Sequence, residues 1–136
     1  MRVIHEDNDT IEFVDDAAMS FMALTVHRLN AALKEGGVED AAVRQEICSS
    51  FLFEFAYHHD AGWLAKEGKR LFPMVTFAER RDPNQDENLG EISELHVPTQ
   101  ATSWHEYAHG VISQYFEDDD EGVDGISFGS YNEVNR

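Results

Sequence analysis

His105-Glu106-Tyr107-Ala108-His109 sets two imidazoles four positions apart, with a carboxylate next to the first. On an α-helix, positions i and i+4 project from one face, so both rings can reach a single ion while the Glu contacts a metal-bound water. The chemistry would be zinc-assisted hydrolysis, in which the ion lowers the pKa of its water and polarises a carbonyl while Glu106 handles the proton. A catalytic zinc takes three protein ligands, so a third is required. No His follows His109. The third ligand must then be a downstream carboxylate, Glu117, Asp124 or Glu133, or an upstream imidazole, His58, His59 or His96. Glu117 lies on the same helix and points towards its polar side. His58 and His59 are therefore the first choices, with Asp124 and Glu133 next.

The surrounding residues 102–111, TSWHEYAHGV, resemble the zinc helix of zincin metallopeptidases, with uncharged Ser103, Tyr107, Ala108 and Gly110 and an apolar Val111. This resemblance covers ten of 136 residues. It implies zinc held by His105 and His109, with Glu106 activating water for attack on a peptide carbonyl. The metzincin extension would place Gly at position 112 and His at 115. The chain has Ile112 and Tyr115, which excludes that subfamily.

A purely structural role competes for the same residues. Ser103-Trp104-His105-Glu106 has the S-x-x-E spacing of a capping box, in which the Ser and Glu side chains satisfy each other's backbone amides at a helix start. On a helical wheel, Trp104, Ala108, Val111 and Tyr115 form an apolar arc that Tyr107 and Ile112 widen, with His105 and His109 on its flank and Glu106 on the polar side. Both imidazoles then sit at the border of core and solvent, where amphipathic side chains also collect without any metal. His58-His59-Asp60 reads similarly. Adjacent residues of a helix point about 100° apart, so both His cannot readily ligate one ion, and a helix C-terminus attracts His through its dipole.

The elements that must position these groups follow from the hydrophobic pattern. Residues 2–14 alternate weakly on either side of Asp7-Asn8-Asp9, which predicts a short hairpin or two irregular strands. Ala18, Met19, Met22, Leu24, Val26, Leu29 and Leu33 predict a helix over 15–35, stopped by Gly36-Gly37. A second helix is expected from about 39 to 57, with a pattern that allows continuation to 66, and with Val43, Ile47, Phe51, Leu52 and Phe55 turned to the core and FLFEFAY the most buried stretch. Residues 66–70 read as a charged turn. Strands are expected at 71–77 and 92–97, paired as an antiparallel hairpin around a long polar loop, with Pro73 pointing to an edge. A third helix should begin near Ser103 and end in the acidic run at 117–121, and a final short strand is expected at 125–128. The fold class is α+β, three helices on a small, mainly antiparallel sheet, in a single domain over residues 1–136.

Charge is the property that departs furthest from average. Ten Lys and Arg oppose 27 Asp and Glu, a net charge of −17. That balance excludes unassisted binding to nucleic acid or to an anionic membrane, whose phosphates would be repelled. The run at 117–122 lacks an EF-hand loop's bidentate Glu, since Phe128 stands at that position, so a solvated turn is expected there. Cys48 is the only cysteine, which rules out an internal disulfide and suits a buried apolar site. No export signal or membrane span is legible, and the expected location is cytoplasmic. The leading reading is a non-enzymatic interaction module, inhibitor-like, for a basic protein partner; the alternative is a small zinc hydrolase using His105, His109 and Glu106. A structural subunit forming a homo-oligomer through its apolar helices is the third.

Overall fold

A computed structural model describes residues 1–5, 11–80, 91–98 and 103–117, with 123, 125, 126, 128 and 129. The class is α+β. The elements are β1 (Arg2–His5), α1 (Ile11–Glu35), α2 (Ala41–Ala61), β2 (Leu64–Lys66), β3 (Lys69–Leu71), β4 (Phe77–Arg80), β5 (Ile92–Val97) and α3 (Trp104–Glu117). They fall into two compact units. One comprises residues 1–15, 75–102 and 125–136, and the other 16–74 and 103–124.

The first unit holds a three-stranded sheet in the order β1-β5-β4. The long strand β5 lies at its centre, parallel to β1 and antiparallel to β4. The expected hairpin within residues 2–14 does not form, because β1 takes β5 as its partner and residues 11–14 already belong to α1. Weak alternation over four residues cannot specify a neighbour, whereas the six residues of β5, five half-buried and His96 buried, offer a ladder edge on each side. The β4–β5 pairing is the antiparallel one expected, but β4 begins where the expected strand ended, at Phe77. Gly125, Ile126 and Phe128 carry no ladder, and Gly125 sits in a turn with φ of 78°. The strand expected at 125–128 is therefore not formed at those residues.

The second unit is built by most of α1 together with α2 and α3. In α1, Ala18, Met22, Val26 and Asn30 are buried at strict four-residue spacing, a stripe running along one side. In α3 the buried residues are Trp104, Ala108, Val111, Ile112 and Tyr115, the arc expected from the wheel. Trp104 is fully buried, with the rings of Phe21 and Phe55 each 6.0 Å from its own. The α2–α1 turn is closed by Gly36 and Gly37, the latter with φ of 92°, and α2 is capped by Asp40, whose carboxylate accepts from the Ala42 amide.

The orientation of α2 departs from the expected one in part: Leu52 is buried and Phe55 half-buried against Phe21 and Trp104 as expected, but the rest of the inner face is rotated. Its buried residues are Arg44, Cys48, Leu52 and Ala56. Val43, Ile47 and Phe51 are exposed instead, and within FLFEFAY only Leu52 and Ala56 are buried. A buried arginine accompanies the rotation. Arg44 donates from Nε to Asn30 Oδ1 at 2.9 Å, and from Nη1 to the carbonyls of Val38 and Glu39 at 2.9 and 2.7 Å. Asn30 Nδ2 in turn donates to the Tyr115 hydroxyl, which lies 2.9 Å from His27 Nδ1. These bonds tie the three helices together through polar groups, and in low dielectric such bonds hold only in one alignment. Helix α2 ends at Gly62, whose amide donates to the His58 carbonyl. Beyond it, β2 and β3 form a tight hairpin on Glu67-Gly68, with φ of 52° and 76°, in place of a plain charged turn.

Candidate functional site at the end of the second helix

Asp60 is the residue around which the HEYAH segment is built. It stands in the last turn of α2 with its side chain only 10% exposed. Its Oδ1 accepts from the Trp104 amide at 3.0 Å, and its Oδ2 from the His105 amide at 2.9 Å. Those are two of the four backbone donors that a helix start leaves orphaned. A carboxylate also suits the positive end of the α3 dipole. The same Oδ2 lies 2.6 Å from His105 Nδ1, and Oδ1 lies 3.3 Å from His59 Nδ1. Burial alone would raise this carboxyl's pKa, but the bonds from the His105 and Trp104 amides and the two imidazoles outweigh it and hold Asp60 below the usual carboxylate range.

This arrangement replaces the expected capping box. Glu106 is exposed, its amide donates to the Ser103 carbonyl, and the reciprocal side-chain bonds with Ser103 are not formed among the described residues. Ser103 Oγ lies instead 3.2 Å from His105 Nδ1. A cap contributed from 44 positions upstream makes the local one unnecessary. Glu106 is thereby left facing solvent. Sequence reasoning passed over Asp60 as the tail of a His-His-Asp run. The one signal that pointed to it was a carboxylate at a helix C-terminus, where the dipole disfavours it unless another group pairs with it.

The remaining ligand candidates are dispersed. His105 is half exposed, with Nδ1 held by Asp60 so that Nε2 is the nitrogen directed elsewhere. His109 is exposed, 6.2 Å from the Phe53 ring. His59 stacks on Trp104 at 4.0 Å with an interplanar angle of 17°, and its Nε2 is buried with no hydrogen-bond partner. His58 folds against the α2 terminus, so close that a Cβ on Gly62 would fall 2.2 Å from its Nδ1. His96 belongs to β5 in the other unit. Asp124 and Glu133 lie outside the described residues, as do residues 118–122 of the acidic run. Among the described residues, no third ligand gathers with His105 and His109 at metal-binding spacing.

A different feature marks the outer side of α2. Val43, Ile47 and Phe51, spaced four apart and 42, 38 and 44% exposed, form an apolar stripe about 100° round the helix from its buried line Arg44, Cys48 and Leu52. Glu46 and Glu54 flank it, and Tyr57 and Phe53 extend the exposed apolar area. Cys48, next to Ile47 on the adjoining face, is buried as expected. No helix among the described residues is long and apolar enough to cross a membrane. Comparison with protein-family models, with curated proteins and with solved structures found no match to this chain.

Proposed function

We propose that this protein is a non-enzymatic interaction module that docks a basic, apolar-faced protein segment on the outer side of α2, in the manner of an inhibitor that neutralises a cationic partner. The observation that carries it is the exposed stripe Val43, Ile47 and Phe51 on a helix whose adjoining face, Arg44, Cys48, Leu52 and Ala56, is already committed to the core. An apolar stripe of this kind on a surface helix is the usual mark of a binding face. The partner's charge follows from the surroundings. Glu46 and Glu54 border the stripe, and the chain's net charge of −17 repels any acidic approach, a second copy of itself included. A basic amphipathic helix matches both features, with its apolar side against the stripe and its cations beside the glutamates.

The test uses a labelled cationic amphipathic helix of Lys and Leu, with an anionic Glu and Leu helix as its counterpart, titrated by fluorescence anisotropy. Ile47→Ser and Phe51→Ser leave the net charge unchanged and so separate docking on the stripe from general attraction. The reading expects the cationic helix to bind, to weaken steeply with salt as screening shortens to about 10 Å at 0.1 M, and to lose at least about tenfold in affinity to the two variants. Equal binding to wild type and variants would refute it. A dimer in sedimentation that Ile47→Ser dissolves would assign the stripe to self-association instead.

A second reading, a small zinc hydrolase using His105, His109 and Glu106, keeps one specific support. A metal-bound imidazole commonly gives its other N–H to a carboxylate, and Asp60 receives His105 Nδ1 in that way, which would present Nε2 to an ion. It stands second because no third ligand gathers with His105 and His109 among the described residues. Zinc that stays bound in Glu106→Gln but is lost in His105→Ala and in His109→Ala would reverse the order.

A further inference from the structure

We infer that Glu79, Glu94 and His96 form a divalent transition-metal site on the three-stranded sheet, separate from the HEYAH helix. Glu79 on β4 and Glu94 on β5 are direct partners in the antiparallel register, and His96 follows Glu94 by two, so all three side chains share one face. His96 Nε2 lies 3.0 Å from Glu79 Oε2 and 3.8 Å from Glu94 Oε2, and the three donor atoms fall within 4.8 Å of one another. An ion about 2.0–2.2 Å from each of three donors holds them roughly 3–3.5 Å apart, so the observed spacing needs only small side-chain adjustments.

The local backbone is shaped around this group. Two carboxylates directly opposite across a ladder repel, so a pair at this position calls for a cation. Arg2 supplies one on the outer side, with Nη2 2.5 Å from Glu94 Oε1, and that leaves Oε2 turned towards His96. The register shifts between Glu79 and Arg80, and the Ser93 hydroxyl bonds the Glu79 carbonyl at 3.1 Å. Bulges of this kind re-aim a side chain and concentrate beside functional sites. His96 is largely buried, its ring 4.7 Å from that of Phe13, so its orientation is set by packing.

Two carboxylate oxygens and one imidazole nitrogen suit a borderline ion, zinc first and manganese next, and three protein ligands leave further positions for water. Binding uses the Nε2 lone pair of neutral His96 with its proton on Nδ1, and a proton passes to solvent only where the ion displaces it from an imidazolium. The experiment is a zinc titration of the metal-stripped full chain by calorimetry, repeated with magnesium and calcium present in excess. Expected is one tight equivalent, insensitive to magnesium and calcium, weakened at least about tenfold by Glu79→Gln and by Glu94→Gln and unchanged by the His105→Ala, His109→Ala double variant. Glu79 is exposed, so its variant keeps the fold, which circular dichroism verifies. The histidine nitrogen spectrum adds a direct readout, a shift of His96 Nε2 on zinc addition. Wild-type binding by Glu79→Gln, competition by calcium at similar affinity, or zinc lost only with His105 and His109 would each overturn the assignment.

Discussion

Replacing Asp60 with Ala should unfasten the start of α3 without touching α3 itself. The loss has three parts. Two backbone donors, on Trp104 and His105, lose their acceptor, which for a helix cap costs about 0.5–2 kcal/mol. Removing a negative charge from the positive end of the helix adds about 0.3–1 kcal/mol. The bond to His105 Nδ1 adds no more than about 0.5 kcal/mol, since that imidazole is half exposed. Because the Trp104 amide is part-buried and water replaces the carboxylate there imperfectly, we expect a total of about 2–3 kcal/mol. Asp60→Asn keeps an acceptor oxygen and should cost about 1 kcal/mol. Urea unfolding followed by tryptophan fluorescence gives the stability change. Hydrogen exchange at the Trp104 and His105 amides gives its location. Ser103→Ala is the control, because a local capping box would cost about 1 kcal/mol there whereas a cap from Asp60 leaves it nearly silent.

The same residue predicts a pH dependence whose sign is determined. The folded pKa of Asp60 is depressed, so its contribution is complete above the unfolded value of about 3.9 and is lost as pH falls through the lower folded value. The stability gap between wild type and Asp60→Asn should therefore narrow below about pH 4 and stay constant above about pH 5. A cost below about 0.5 kcal/mol for Asp60→Ala, with unaltered exchange at both amides, would refute the reasoning.

Two further substitutions test the packing of α2. Arg44→Ala removes at least the hydrogen bonds to Asn30 and to the carbonyls of Val38 and Glu39, and should cost about 2–4 kcal/mol in urea unfolding. Ile47→Ser, one turn on but on the exposed side, should cost under about 1 kcal/mol; the opposite order would mean that α2 is turned the other way. Gly62→Ala should lower stability by about 1–3 kcal/mol, since its Cβ would meet the His58 carbonyl oxygen at 2.6 Å and the His58 ring at 2.2 Å, and neutral stability there would contradict the observed helix end.

What local pattern could specify, it did. The repeat of Ala18, Met22 and Val26 is enough to make α1 amphipathic, and Trp104, Ala108, Val111 and Tyr115 define the inner arc of α3, because a period of 3.6 is a property of neighbours along the chain. Alternation likewise marked Ile92–Val97 as a strand. Composition alone settled the −17 charge and left Cys48 without an internal disulfide partner. Other features depended on residues far apart. The second half of α2, FLFEFAY, is apolar nearly all round, so periodicity there could not choose its inner face; Asn30, accepting from Arg44, accompanies the turn that leaves Ile47 and Phe51 outward. The partner of β1 was equally hidden, since four weakly alternating residues fit many ladders. Asp60 caps a helix 44 residues ahead, and Glu79 meets Glu94 and His96 across a ladder. Each of these is an electrostatic match between groups that only folding brings within hydrogen-bonding distance, and such a match leaves no period in the sequence from which to read it.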